Sequence, residues 1–179
     1  MSIASTHRLS LAGYGVDPDT LKVVAASLPT AVTVVTTVDC DGNPYGMTSG
    51  AVCSVSAEPA LFLTSVSRTS RTLPILLERG SFVINILHEG AAEVSNRFAT
   101  PGEERFTRTA WRRTASGLPL LHEDALAYAE CQVYEAVPAG DHVLVIGLVV
   151  DGGAHVDNPG DPLLYFKRSY AAWSGVPRR

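Results

Sequence analysis

Hydrophobic positions along the chain switch between two periods. Leu21, Val24 and Leu28 recur at helical spacing behind Asp17-Pro18, an N-cap and first-turn pair, and Pro29 ends the run, so a short first helix is predicted. Ala31 to Val38 is rich in β-branched residues and leads through Cys40-Asp41-Gly42-Asn43 to Tyr45 to Val52. That sequence predicts a β-hairpin. Ala60 to Val66 and Ser81 to Leu87 read as further strands, separated by a helix over Ser70 to Arg79 in which Leu73, Leu76 and Leu77 share a face and Pro74 stands near the start. His88 to Phe98 suits another short helix. Leu126 to Val137 and His142 to Val150 are long β-type runs around the turn Pro138-Ala139-Gly140-Asp141, and Pro162 to Phe166 suits a last short strand. Strands outnumber helices and mostly follow one another directly. The pattern predicts a mainly β fold, an antiparallel barrel with short peripheral helices, over a parallel α/β sheet.

Composition narrows the picture. At 179 residues with 46% hydrophobic side chains, the chain suits one compact domain with a real core. The expected organisation is an N-terminal extension over 1–16, one domain over 17–174 and a tail over 175–179. The longest apolar run, Val143 to Val150, is interrupted by Gly147 and falls far short of the roughly 20 residues that cross a bilayer. Met1 to Gly15 lacks the apolar stretch of a secretory signal. A cytoplasmic protein with no membrane partner is expected. Cys40, Cys53 and Cys131 are odd in number and widely spaced, which suits structural thiols better than a disulfide framework or a metal site. A net charge of -4 and a pI near 5.7 lack the basic footprint of a nucleic-acid binder. The 18% charged fraction lies below the roughly 25% usual for soluble domains. Part of the surface is therefore expected to face a second subunit, as in a homodimer.

The familiar catalytic signatures are missing: no Gly-x-Gly-x-x-Gly follows a strand, and neither a phosphate-binding Gly-x-x-x-x-Gly-Lys loop, a His-Glu-x-x-His pair nor a Gly-x-Ser-x-Gly elbow occurs. Five stretches remain. Gly46 to Ser56 carries hydroxyls, two glycines and no charge, so it reads either as a solvated serine-rich loop or as a neutral cradle for a flat heteroaromatic ring. Ser67-Arg68-Thr69-Ser70-Arg71-Thr72 runs from a strand into a helix, which suits a helix cap with exposed arginines or a phosphate seat. Arg97, Arg105, Arg108, Arg112 and Arg113 crowd one stretch, whereas Thr114 to Phe166 has no Lys or Arg; two solvated faces or an anionic ligand would both explain this. Gly140-Asp141-His142 occupies a turn that explains Gly and Asp but does not require His. Near the C-terminus, Tyr165, Phe166 and Tyr170 stand beside Lys167 and Arg168, a set suited to an edge strand or to stacking on a planar phosphorylated ligand. Glu103, Glu104 and Asp141 form no evident acid–base pair.

Taken in order, these stretches resemble the short-chain flavin reductase family, the reductase components of two-component flavin-dependent monooxygenases such as the 4-hydroxyphenylacetate 3-monooxygenase systems. The resemblance runs from about Asp19 to Trp173. It is carried by Thr33 to Thr37, Gly46-Met47-Thr48, Ser54-Val55-Ser56 with Pro59, Ser67 to Leu73, Phe82 to Asn85, Arg97-Phe98, Gly140-Asp141-His142 and Pro162 to Phe166. It implies a split β-barrel of the flavin-mononucleotide-binding type, with flavin at a homodimer interface. It further implies that Thr48, Ser49, Ser54, Val55 and Ser56 line the isoalloxazine and that Met47 belongs to the cofactor-binding residues. Ser67, Arg68, Ser70, Arg71 and Thr72 would meet the ribityl phosphate, with Arg97 and Phe98 nearby. Gly140, Asp141, His142, Tyr165, Arg168 and Tyr170 would receive the nicotinamide nucleotide, with His142 positioning its reactive end. The implied activity is reduction of FMN or FAD by NADH or NADPH, followed by delivery of reduced flavin to a partner monooxygenase. The alternatives are a non-catalytic flavin-binding module and a flavin oxidase of the pyridoxamine-phosphate type. Ala31 and Ala60 depart from the usual Gly and Pro of the family and lie in scaffold positions.

Overall fold

A computed structural model describes residues 15–102, 104–154 and 160–173. The expected extension over 1–16 and tail over 175–179 therefore lie almost wholly outside the described residues. The elements are α1 (Pro18–Ala26), β1 (Thr30–Ala31), β2 (Thr33–Val38), β3 (Pro44–Ser49), β4 (Val52–Ala57), β5 (Ala60–Ser67), α2 (Thr72–Arg79) and β6 (Ser81–Leu87), then α3 (Ala92–Ala99), β7 (Arg112–Arg113), β8 (Pro119–Leu120), β9 (Ala125–Ala139), β10 (His142–Ala154), β11 (Leu163–Phe166) and β12 (Ser169–Ala172).

The main sheet has the order β3-β2-β6-β9-β10-β5-β4 with every pair antiparallel. Its two edge strands, β3 and β4, are joined by Gly50 and Ala51 alone. A flat sheet could not bring opposite edges that close, so the sheet curls into a barrel. The seam is visible where Ser65 N donates to Ala51 O at 2.9 Å. Tight curvature also needs room: a Cβ on Gly147 would stand 2.6 Å from Phe82 Cζ and 2.7 Å from Cys131 Cβ, so only glycine fits beside that bulge.

Val35, Val66, Phe82, Ile84, Cys131 and Val145 fill the barrel, and α2 closes it with Leu73 and Leu76. Gly80 ends α2 in the left-handed conformation, where a glycine carries no steric penalty. On the outer side of β2, α3 packs Val94 and Phe98 against Val32, Val34, Leu87, Leu121 and Leu163. Phe106 extends this layer by meeting Phe98 edge-on at 5.0 Å and Trp111 at 5.6 Å. Buried Asn85 binds the layers together: its Nδ2 donates to Val34 O and Thr36 Oγ1, and its Oδ1 accepts from Leu121 N.

Three local expectations change. The predicted strand Tyr45 to Val52 divides, because the chain crosses from one sheet edge to the other after Ser49; the hydroxyl-rich stretch forms β3 and β4 and is not a loop. The helix expected from His88 begins at Ala92, since His88 bridges to Pro162 in an extended pairing. β12 was not anticipated. Its four residues form a hairpin with β11 through Lys167 and Arg168, both at positive φ. α1 forms as expected, capped by Asp17 Oδ1 accepting from Asp19 N and Thr20 N, but buries none of its residues in this chain.

Candidate functional site

The strand pairing brings two distant motifs together. Ser67 at the end of β5 pairs with His142 at the start of β10, and Arg68 N donates to Asp141 O at 3.0 Å. Beyond Arg68 the loop is held by short polar links: Thr69 N donates to Ser67 Oγ, Thr72 N donates to Ser70 Oγ, and Ser70 Oγ donates to Met47 Sδ at 3.3 Å. Met47 thereby ties β3 to the entrance of α2. Across the turn, His142 Nδ1 lies 2.8 Å from Asp141 Oδ1. That hydrogen bond holds the Asp141 carboxyl below its ordinary range, so it is ionised and the imidazole donates to it through Nδ1, leaving Nε2 for another partner. Gly140 supplies the turn with φ of +62°, which a side chain would strain.

One end of β3 borders a cavity of about 310 Å³ lined by Thr30, Thr48, Gly50, Ser95, Tyr165 and Tyr170, among others. Thr48 Oγ1 donates to Ser95 O at 2.6 Å. Tyr170 OH reaches Ser95 Oγ at 3.0 Å and Asn96 Oδ1 at 2.8 Å, which fixes α3 to the β11–β12 hairpin. Tyr165 meets Tyr170 edge-on at 5.3 Å and stays 40% exposed at the cavity wall.

The other end of β3 borders a second cavity, about 250 Å³, where Arg71 and Thr72 face Tyr45, Gly46 and Arg105. Gly46 and Gly50 are four residues apart, about 13 Å along an extended strand. Neutral hydroxyls and aromatic rings thus stand at one end and guanidinium groups at the other. This suits a ligand with a polar planar ring and a phosphate, such as a flavin nucleotide. Among the described residues, no group of three His, Cys, Asp or Glu side chains could hold a metal.

The remaining predicted residues are dispersed. Ser49 is buried and turns its hydroxyl to Ala51 N. Ser54, Val55 and Ser56 lie on the edge strand β4, with Ser54 and Val55 exposed, and border none of these cavities. Arg97 faces a neighbouring cavity but gives its Nη1 to Arg108 O and Thr109 Oγ1. Phe98 is a correction: it is 1% exposed and closes the core under Gly46, because its position on α3 faces β2 and not a cavity. Arg168 sits at the hairpin tip, beside a separate groove between that hairpin and α1. The candidate site includes three residues that local motifs did not single out, Arg105, Ser95 and Asn96. Arg105 stood within the arginine-rich stretch, yet nothing local distinguished it from its neighbours.

Residues 25–174 match the model of the family described as flavin reductase like domain. The chain is similar to the flavin reductase (NADH) of Kitasatospora aureofaciens, 49% identical over 166 residues that cover 92% of this chain and 86% of that protein. Some relatives are longer: the reductase subunit of stachydrine N-demethylase from Rhizobium meliloti is 40% identical over 74% of this chain, which spans 57% of that protein. Among solved structures, a homologue of nitrilotriacetate monooxygenase component B from Mycobacterium thermoresistibile matches with a TM-score of 0.84 at 30% identity, covering 90% of each chain. An NADH:FAD oxidoreductase of Streptomyces globisporus, in complex with NAD and FAD fragments, matches with a TM-score of 0.82 at 26% identity over 90% of this chain and 98% of that one. A barrel closed through β3 and β4, with cavities at both ends of β3 and a match over residues 25–174, places this chain in the flavin reductase-like family.

Proposed function

We propose that the chain is an NAD(P)H-dependent flavin reductase that acts as a cytoplasmic homodimer and supplies reduced FMN or FAD to a separate monooxygenase. One observation carries the reading: the Ser67–Thr72 loop and the Gly140–His142 turn, far apart in sequence, are joined by strand pairing and by the Arg68 N to Asp141 O bond. A phosphate seat for flavin and a positioning histidine for nicotinamide are then neighbours. Bound flavin and nicotinamide supply the hydride chemistry between them, so no side-chain nucleophile is needed. The chain's part is to hold and orient. Ser67, Arg68, Ser70, Arg71 and Thr72 grip the phosphate end, Thr48 flanks the ring, and Asp141 fixes His142 so that Nε2 positions the nicotinamide.

The homodimer rests on a half-buried apolar sheet face. Along β5 and β10 the inward positions Phe62, Val143, Val145 and Val149 join the core, whereas Leu61, Leu63, Leu144, Ile146 and Leu148 point the other way and join none of the hydrophobic clusters. A strand apolar on both faces is one whose two faces are both buried. A second copy over this face would also cover Ser56 on adjacent β4, which pairs with Leu61, and so add it to the ring site. Exposed Cys40 and Cys53 and buried Cys131 are free thiols, as suits a reducing compartment.

The test mixes purified protein with riboflavin, FMN or FAD and NADH or NADPH, and follows nicotinamide absorbance. Flavin-dependent oxidation is expected; its absence with every pair would favour a flavin-binding module. His142→Ala is expected to raise the KM for the nicotinamide several-fold before flavin binding weakens, and an unchanged KM would remove His142 from the site.

A further inference from the structure

We infer that α1 of one copy lies across β5 and β10 of a second copy, so that a twofold pair closes two apolar surfaces at once. The inference rests on the homodimer reading and names the element that covers the half-buried face. α1 has nine residues and buries none of them against the described chain. Lys167 N ties it to the β11–β12 hairpin by donating to Ala26 O at 3.0 Å, yet a groove of about 280 Å³, walled by Lys22, Ala25 and Ala26, runs between helix and hairpin. A helix this short is marginal in water by itself, so its stability has to come from packing. Leu21 and Val24 share a flank of α1, and Leu28 continues their line beyond the C-cap Ser27; the three are 59% to 64% exposed. Asp19 and Lys22 pair with each other at 2.8 Å to one side of this strip.

The outer face of β5 and β10 matches the strip. Leu61, Leu63, Leu144, Ile146 and Leu148 are aliphatic and half-buried, and they join no hydrophobic cluster of the described residues. A nine-residue helix is about 13 Å long, and Leu144 to Leu148 spans about 13 Å of strand. Area argues the same way. Five half-buried side chains fall short of the roughly 800 Å² that each partner of a stable dimer contributes, and α1 adds a second strip to the same interface. Two unlike apolar surfaces on one chain can be closed in two ways. If each met its own kind, every copy would have two different twofold contacts and association would continue into a larger assembly. If each meets the other, a single twofold axis closes both and the pair is finite. A second copy is also present whenever the dimer is, as a helix that always needs cover requires. Docking brings the ring cavities toward the interface as well: Leu28 stands two residues before Thr30 in the cavity wall, and Ser56 pairs with Leu61 on the face that α1 covers.

The experiment compares sedimentation of wild type, Leu21→Asp, Val24→Asp and Val23→Asp, and maps a disulfide between copies. Leu21→Asp and Val24→Asp are each expected to raise the dissociation constant of the dimer by about 30-fold or more. Val23 lies about 200° round the helix from Leu21, so Val23→Asp stays within about 2-fold of wild type. For the map, Val24→Cys and Ile146→Cys are combined with Cys40→Ser and Cys53→Ser, which remove the exposed native thiols. Mild oxidation is expected to give a covalent dimer whose disulfide joins position 24 to position 146. A link of 24 to 24 or of 146 to 146 in its place, or a wild-type dimer unaffected by Leu21→Asp and Val24→Asp, overturns the docking while the homodimer reading stands. An intact dimer whose Tm falls equally at every protein concentration in those two variants places α1 against its own chain and also overturns it. Wild type sedimenting as a monomer overturns both the docking and the homodimer, and flavin-dependent NADH oxidation by that monomer would leave the reductase reading in place.

Discussion

Two outer faces of the same curled sheet carry similar side chains and meet different fates. Over β2, Val32 and Val34 disappear beneath Val94 and Phe98 of α3, and Phe106 and Trp111 seal the edge. Over β5 and β10, Leu61 stands opposite Leu148 and Leu63 opposite Ile146 in cross-strand pairs that no hydrophobic cluster of the described chain absorbs. α1 repeats the contrast on a smaller scale, with Leu21 59% and Val24 64% exposed although its cap and spacing are those of a packed helix. Local sequence makes a face apolar; whether that face is buried within one copy depends on which elements remain in the chain to cover it.

The largest expected effect comes from opening the covered face. Phe98→Ala leaves a cavity among Phe106, Val34 and Leu121 and should cost about 3–5 kcal/mol, read as a large fall in Tm that is the same at every protein concentration. A concentration-dependent fall would mean that α3 is stabilised through a second copy and would dissolve the contrast.

Charge on the half-buried face of β5 and β10 should act through association. Ile146→Asp is expected to convert a dimer to a monomer in sedimentation, with far-UV circular dichroism unchanged and Cys53 on neighbouring β4 alkylated faster than in wild type. Cys131 stays unlabelled in both, since burial pushes its thiol pKa up to about 12. If wild type and the variant sediment alike, no second copy covers β5 and β10.

The smallest effect concerns Asp124, at the end of the Leu121 turn that roofs the covered face. Its half-buried carboxyl is held above the ordinary carboxylate range by desolvation, against the pull of His88. A pKa raised by folding means that the native chain keeps this proton longer than the unfolded one. The associated stability is full below the ordinary carboxylate value and declines as pH rises through the raised one. Asp124→Asn removes that decline, so the variant should melt slightly above wild type at neutral pH and level with it in acid; a lower Tm at neutral pH would show that the charged form is favoured instead.

Much of the fold was legible because it depends on near neighbours. The β-branched run at Thr33 to Val38, the Leu73 and Leu76 spacing of α2 and the turn before His142 each carry their own backbone preference. The site was legible only in part. Ser67 to Thr72 and Gly140 to His142 are contiguous, so each could be read as a unit before strand pairing joined them. Phe98 beside Arg97 looked equally suited to a ligand, but side chains one residue apart on a helix point in different directions, and only packing decides which one meets the core.

The sequence by itself determined the β-rich architecture, the hydroxyl and arginine motifs and the family they resemble, because those features follow from spacing within short stretches. Tertiary structure alone decided that Arg105 and Arg71 border one cavity, that Gly46 to Ser56 bridges two sheet edges, and that one half-buried apolar face joins no hydrophobic cluster of the described residues. These are contacts between residues far apart along the chain. No local period encodes them, and they exist only once the sheet has curled.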